Sequence, residues 1–194
     1  MNKSQSKTII INSGEFFWIN QPERFSFESG VLTIDTDPET DLWQRTYYGF
    51  RNDSAHALIT EKTGDFTFSA KTVFSTKTLY DQCGIILYQN SDNWIKASVE
   101  YENNDFSRLG SVVTSLGYSD WATTDISSAI ITMWYRLSRI GQDYLIENSS
   151  DGIAYYQMRM LHMHLPIDSA RIGVYACSPG KAGFRAQFEL QHES

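Results

Sequence analysis

Residues 79–101 read LYDQCGIILYQNSDNWIKASVEY: two apolar runs, Leu79–Tyr88 and Asn93–Tyr101, separated by the polar stretch Gln89 to Asp92. In the second run Ile95, Ala97, Val99 and Tyr101 alternate with Trp94, Lys96, Ser98 and Glu100. A period of two with β-branched and aromatic enrichment is the pattern of a half-buried strand. The short polar break between two such runs predicts a β-hairpin. On that reading Gln82, Gly84, Ile86 and Tyr88 share one face with Trp94, Lys96, Ser98 and Glu100.

The same alternation recurs on both sides of this hairpin. In Gly64–Ser75, Phe66, Phe68, Ala70 and Phe74 fall on one parity and Asp65, Thr67, Ser69 and Lys71 on the other. In Gly183–Leu190, Phe184, Ala186, Phe188 and Leu190 alternate with Arg185, Gln187 and Glu189. Polar turn clusters punctuate the runs, and Pro22, Pro38, Pro166 and Pro179 all lie in such breaks, where a missing N–H costs no ladder bond. Ala154–His162 also fits a helix of about two turns, but its alternation after a Ser-Asp-Gly turn is read as strand. Many short strands with no helices between them predict an all-β sandwich of two antiparallel sheets.

The chain has 194 residues, which fits one domain over 1–194 with its core at about 14–190. Sixteen Lys and Arg against 23 Asp and Glu give a net charge of -7. An acidic surface repels a phosphate backbone and an anionic membrane, so neither nucleic acid nor membrane is expected as a partner. The N-terminal residues hold only Ile9-Ile10-Ile11 as an apolar run, short of the roughly 7–15 residues of a signal segment. A cytoplasmic protein is therefore expected. Cys83 and Cys177 sit inside apolar runs and read as buried free thiols.

The face of the hairpin turned away from the core carries more than dispensable polar residues. Gln82, Lys96 and Glu100 stand among Tyr80 and Trp94 there, and Gly84 leaves a bare patch that a ligand or a neighbouring aromatic can approach. Arg136 is another charge inside an apolar strand, and Trp43 follows Asp41 in a run with Arg45 and Tyr47. Aromatic faces beside carboxylates, amides and guanidinium groups form the composition of a sugar-binding groove. The same residues also fit a buried polar network that only holds loops over the sheet.

Several pieces, in order, carry a family resemblance: Thr40-Asp41-Leu42-Trp43, Tyr80-Asp81-Gln82-Cys83-Gly84, Asn93-Trp94-Ile95-Lys96, Val99-Glu100-Tyr101, Ser119-Asp120-Trp121, Trp134 with Arg136, and Ala176-Cys177-Ser178-Pro179. With these the chain resembles the "regulation of enolase" family of concanavalin A-like proteins. The resemblance implies a concanavalin A-like jelly roll with one curved sheet, as in legume lectins and β-glucanases. It places Gln82, Lys96, Glu100 and Arg136 on or near the concave face. Trp43, Tyr80, Asp120 and Trp121 become rim or strand-end groups. It supplies no reaction, and the fold hosts binding, catalytic and structural proteins alike.

Three functions follow. The first is a non-catalytic module that binds a saccharide or sugar-like metabolite on Trp43, Tyr80, Gln82, Trp94, Lys96, Glu100, Asp120, Trp121 and Arg136. The second is a structural or protein-interaction role, a homodimer through a flat edge strand included. The third is a glycoside hydrolase or lyase, for which Glu100, Asp81 and Asp120 supply carboxylates. The β-glucanase pattern E-x-D-x-x-E is not kept in Lys96–Glu102, and Lys96 is expected to hold Glu100 ionised as an ion-pair partner. No catalytic residue, cofactor or metal is therefore assigned. His162 and His164 share a strand face, but no third ligand follows from spacing, since His56 and His192 are remote in sequence.

Overall fold

The computed structural model describes residues 8–11, 13–164 and 167–191. Pro166 and His192, considered above, lie outside the described residues. Among these the strands in chain order are β1 (Ile9–Ile11), β2 (Gly14–Ile19), β3 (Arg24–Glu28), β4 (Val31–Asp35), β5 (Leu42–Gln44), β6 (Arg51–Asp53), β7 (His56–Thr63), β8 (Phe66–Ser75) and β9 (Gln82–Asn90). They continue with β10 (Asn93–Tyr101), β11 (Phe106–Ser115), β12 (Tyr118–Ser127), β13 (Thr132–Ile140), β14 (Asp143–Ser149), β15 (Tyr156–His162), β16 (Ser169–Cys177) and β17 (Arg185–Leu190). The predicted hairpin is β9–β10, and within the ambiguous 154–162 stretch Tyr156–His162 is strand, β15.

Two antiparallel sheets make the sandwich. One runs β1-β2-β7-β16-β9-β10-β11-β12, and the other β15-β14-β13-β8-β17-β4-β3. Side chains alternate as the sequence predicts: Ile95, Ala97 and Val99 of β10 meet Phe68, Ala70 and Phe74 of β8 and Ala186 and Phe188 of β17 in the core between the sheets. No helix is long and apolar enough to cross a membrane among the described residues.

The outer face of the eight-stranded sheet departs from the half-buried expectation. Seven consecutive residues at the start of both β9 and β10 are buried, which means these strands are covered on both sides. The cover is the segment 37–55, which crosses the sheet and folds its own small hairpin, β5–β6. A second apolar cluster forms beneath it from Leu42, Trp43, Ile59, Ile86, Trp94 and Tyr175, among others. The segment is tied down at both ends. Thr40 N–H donates to Ser178 O at 3.0 Å, and Asn20 Nδ2 donates to Asp53 O at 2.8 Å. Arg45 Nη1 donates to Gly117 O at 2.7 Å, and Arg51 Nη2 reaches Asp92 Oδ1 at 3.0 Å.

Cys83 faces the inter-sheet core and Cys177 the outer cluster, so adjacent strands hold the two buried thiols on opposite sides of one sheet. That geometry forbids a disulfide between them, because the Cβ vectors point apart.

Candidate functional site

Register places the polar floor. Glu100 pairs directly with Gln82, Ser98 with Gly84 and Lys96 with Ile86, so all of these point to the outer face under segment 37–55. Tyr175 of β16 lies beside Gly84 on the other side, and its hydroxyl donates to Gln82 Oε1 at 3.0 Å. The bare patch at Gly84 is thus spanned by a neighbouring aromatic.

Gln82 is the hub. Its Oε1 also accepts from Lys96 Nζ at 2.8 Å, and its Nε2 donates to Glu100 Oε2 at 2.8 Å. Lys96, only 3% exposed, donates a second bond to Leu42 O at 2.9 Å and so links the sheet to the covering segment. The expected Lys96–Glu100 ion pair is therefore replaced by a relay through the Gln82 amide. The ammonium still opposes the shift of Glu100, but burial outweighs it, and Asp41 and Glu102 add to burial. The Glu100 carboxyl is pushed up from 4.5 to about 7, the reverse of the direction its sequence neighbour predicts.

This shift sets a pH dependence. A carboxyl raised in the folded state stabilises the fold as the neutral acid. That contribution is complete below pH 4.5 and is lost as pH rises through about 7. At most about 3 kcal/mol is at stake. Wild type is expected to lose this much relative to Glu100→Gln between pH 4.5 and pH 8 in urea unfolding. Parallel pH profiles for the two proteins would remove the assignment.

Above this floor is a pocket of about 210 Å³. One wall is Trp43, Tyr48 and Phe50 of segment 37–55 with Trp121 of β12; Tyr80 and Pro179 line it as well. Trp43 meets Trp121 edge to face at 6.3 Å and Tyr48 at 5.5 Å, while its indole N–H is held by Thr46 O at 3.0 Å. Gln82, Lys96, Glu100, Asp41 and Val112 complete the lining. The volume is below the roughly 300–1,000 Å³ of drug-sized sites and suits a ligand of one ring.

Six of the nine residues singled out from sequence converge here: Trp43, Tyr80, Gln82, Lys96, Glu100 and Trp121. The other three do not. Trp94 is on the expected face but fully buried in the second cluster, its indole N–H donating to Ser91 O. Asp120 has the opposite parity from Trp121 and bonds Arg159 Nη2 at 2.9 Å. Arg136 belongs to the other sheet, where it bonds Glu147 at 2.7 Å and lies 4.1 Å over the Tyr155 ring. Parity along a strand says which residues share a face, but not which sheet owns the strand.

Asp81, also considered for catalysis, is fully buried and accepts from Lys77 N–H, Thr78 N–H and Ser178 Oγ, which makes it a turn-holding group. Asp41, Tyr48 and Phe50 line the pocket without standing out as site residues in the sequence; the aromatic run Tyr47-Tyr48-Gly49-Phe50 is the signal for the last two. His162 bonds Asp143 Oδ1 at 2.6 Å, and no group of three or more His, Cys, Asp or Glu able to hold a metal occurs among the described residues.

Residues 18–192 match the family described as "Protein of unknown function (DUF1349)". The chain belongs to the DUF1349 family. This DUF1349 chain is 32% identical over 184 residues to Regulation of enolase protein 1 of Saccharomyces cerevisiae, covering 95% of this chain and 90% of that protein. A crystal structure of a functionally unknown Saccharomyces cerevisiae protein superimposes with a TM-score of 0.85 at 31% identity, covering 92% of this chain and 97% of that one. The GH43 BlXynB protein of Bacillus licheniformis gives a TM-score of 0.71 at 15% identity, over 90% of this chain but 35% of its own length. At that identity the likeness is one of fold, so the DUF1349 pocket must be interpreted from its own residues.

Proposed function

We propose that the pocket binds a saccharide or a sugar-like polar metabolite without covalent chemistry. One observation carries the reading: a single-ring cavity pairs an aromatic wall, Trp43 and Trp121, with the carboxyl groups of Glu100 and Asp41, over a floor that Gln82 holds in place. Aromatic faces accept the C–H surface of a pyranose, and carboxyl groups bond its hydroxyls. The floor is oriented by bonds within the protein, so little ordering is needed when a ligand enters.

The test is a thermal-shift screen of monosaccharides, short oligosaccharides and sugar phosphates. A ligand at about 100 times its Kd adds roughly 2.7 kcal/mol, a rise of several degrees in Tm for a chain of this size. The rise is expected to vanish in Glu100→Ala. No shift with any of these compounds, in a folded wild type, would overturn the reading.

A second reading rests on the neutralised carboxyl itself. Glu100, raised to about 7 and sharing the pocket with Asp41, is suited to donate a proton to a leaving group. Steady release of aryl alcohol from aryl glycosides, lost in Glu100→Gln, would favour cleavage over binding.

A further inference from the structure

The aromatic wall does not stop at the pocket. Ring contacts run in an unbroken row from Trp121 to Trp43 at 6.3 Å, from Trp43 to Tyr48 at 5.5 Å and from Tyr48 to Tyr47 at 5.2 Å. The first three rings line the cavity; Tyr47 lies beyond it and is 94% exposed. Phe50 stacks on Tyr48 at 6.1 Å and broadens the outer end of the row.

The tip that presents these rings is built with care. Arg45, Tyr47 and Gly49 all have left-handed backbone, with φ of 56°, 64° and 77°. Non-glycine residues rarely adopt it, and such residues gather where a binding surface needs them. Four backbone bonds hold the turn: Arg45 N–H to Phe50 O, Thr46 N–H to Gln44 O, Tyr48 N–H to Thr46 O and Gly49 N–H to Arg45 O, at 2.7–2.8 Å. Arg45 and Arg51 anchor it to the turns beside Gly117 and Asp92. A tyrosine that is fully solvated and held on a rigid support offers its face at small entropic cost.

Resting on the saccharide reading above, we infer that the ligand is an oligosaccharide rather than a single sugar: its terminal unit enters the pocket and the next unit stacks on Tyr47 at the hairpin tip. The cavity itself has room for one ring, so any further unit lies outside it, and Tyr47, in contact with the cavity-lining Tyr48, offers an exposed ring for it there. Tyr80 lines the same cavity, is 44% exposed and is also held at a left-handed φ of 71°.

The experiment is calorimetric titration of wild type, Tyr47→Ala and Tyr47→Phe with xylose, xylobiose and xylotetraose, and with glucose, cellobiose, cellotetraose and maltotetraose. One added stacking contact is expected to tighten the Kd about fivefold to tenfold from mono- to disaccharide in at least one series. In Tyr47→Ala the longer sugars should bind no tighter than the monosaccharide does, while Tyr47→Phe keeps the gain. Equal affinity at every chain length in wild type, or a length gain that survives Tyr47→Ala, overturns the second subsite and leaves the pocket reading standing. The exposed tip would then be sought as a protein contact. Failure of every saccharide to bind wild type overturns the pocket reading and this inference together.

Discussion

Gly84→Ala is expected to be the most destabilising single substitution, costing more than about 4 kcal/mol. A methyl group at this position would stand 1.8 Å from the Ala97 carbonyl oxygen and 2.8 Å from its carbon. Both are backbone atoms of the paired strand β10, so no side-chain rotation relieves the clash. Strands β9 and β10 would have to part in the middle of the eight-stranded sheet, under the floor of the pocket. Overpacking a core side chain ordinarily costs about 1–3 kcal/mol. Separation of two central strands belongs to the tail above about 4 kcal/mol, against a total stability of about 5–15 kcal/mol. Gly141→Ala is the control. Its φ is left-handed, at 61°, unlike that of Gly84, but its site is open, so only the backbone cost of about 1–2 kcal/mol is expected. Urea unfolding of the two variants checks the contrast, and a Gly84→Ala midpoint within the range of Gly141→Ala would refute it.

Lys96→Ala is expected to cost about 3–5 kcal/mol, the second-largest effect. The truncation leaves a cavity in the cluster of Leu42, Trp94 and Tyr175, and it strips a donor from Leu42 O and Gln82 Oε1. Lys96→Met keeps the packing of the stem and avoids burying a charge, so it should lie within about 1–2 kcal/mol of wild type. Both changes remove the ammonium that opposes the rise at Glu100, so in both the carboxyl should titrate above its wild-type value of about 7. Carbon NMR of the Glu100 side chain reads this directly. An unchanged titration in a folded Lys96→Met protein would show that the relay through Gln82 does not couple the two groups.

These effects depend on positions that the sequence revealed unevenly. The pairing of Gln82 with Glu100 and of Gly84 with Ser98 was legible, because a period of two and a short polar break define a hairpin and its shared faces. Strand Tyr156–His162 is legible through the same alternation. The ion pair that the spacing of Lys96 and Glu100 suggests does not form. Two residues four apart on a strand share a face, but nothing local says that a glutamine from the neighbouring strand will stand between them. Arg136 stands on the other sheet, opposite Glu147, because its alternation fits either sheet equally well.

By itself the sequence determined that the chain is an antiparallel β-sandwich, which side chains share a strand face, and that polar and aromatic groups crowd one such face. Those properties follow from periodicity and turn chemistry, which act over a few residues. Only the tertiary structure decided that segment 37–55 covers that face and brings Asp41, Tyr48 and Phe50 to the pocket. It also decided that burial, and not the nearby lysine, governs the state of Glu100. Burial and long-range pairing are properties of the whole packed chain: the bonds from Thr40 to Ser178 and from Lys96 to Leu42 join residues 138 and 54 positions apart, and no local pattern encodes them.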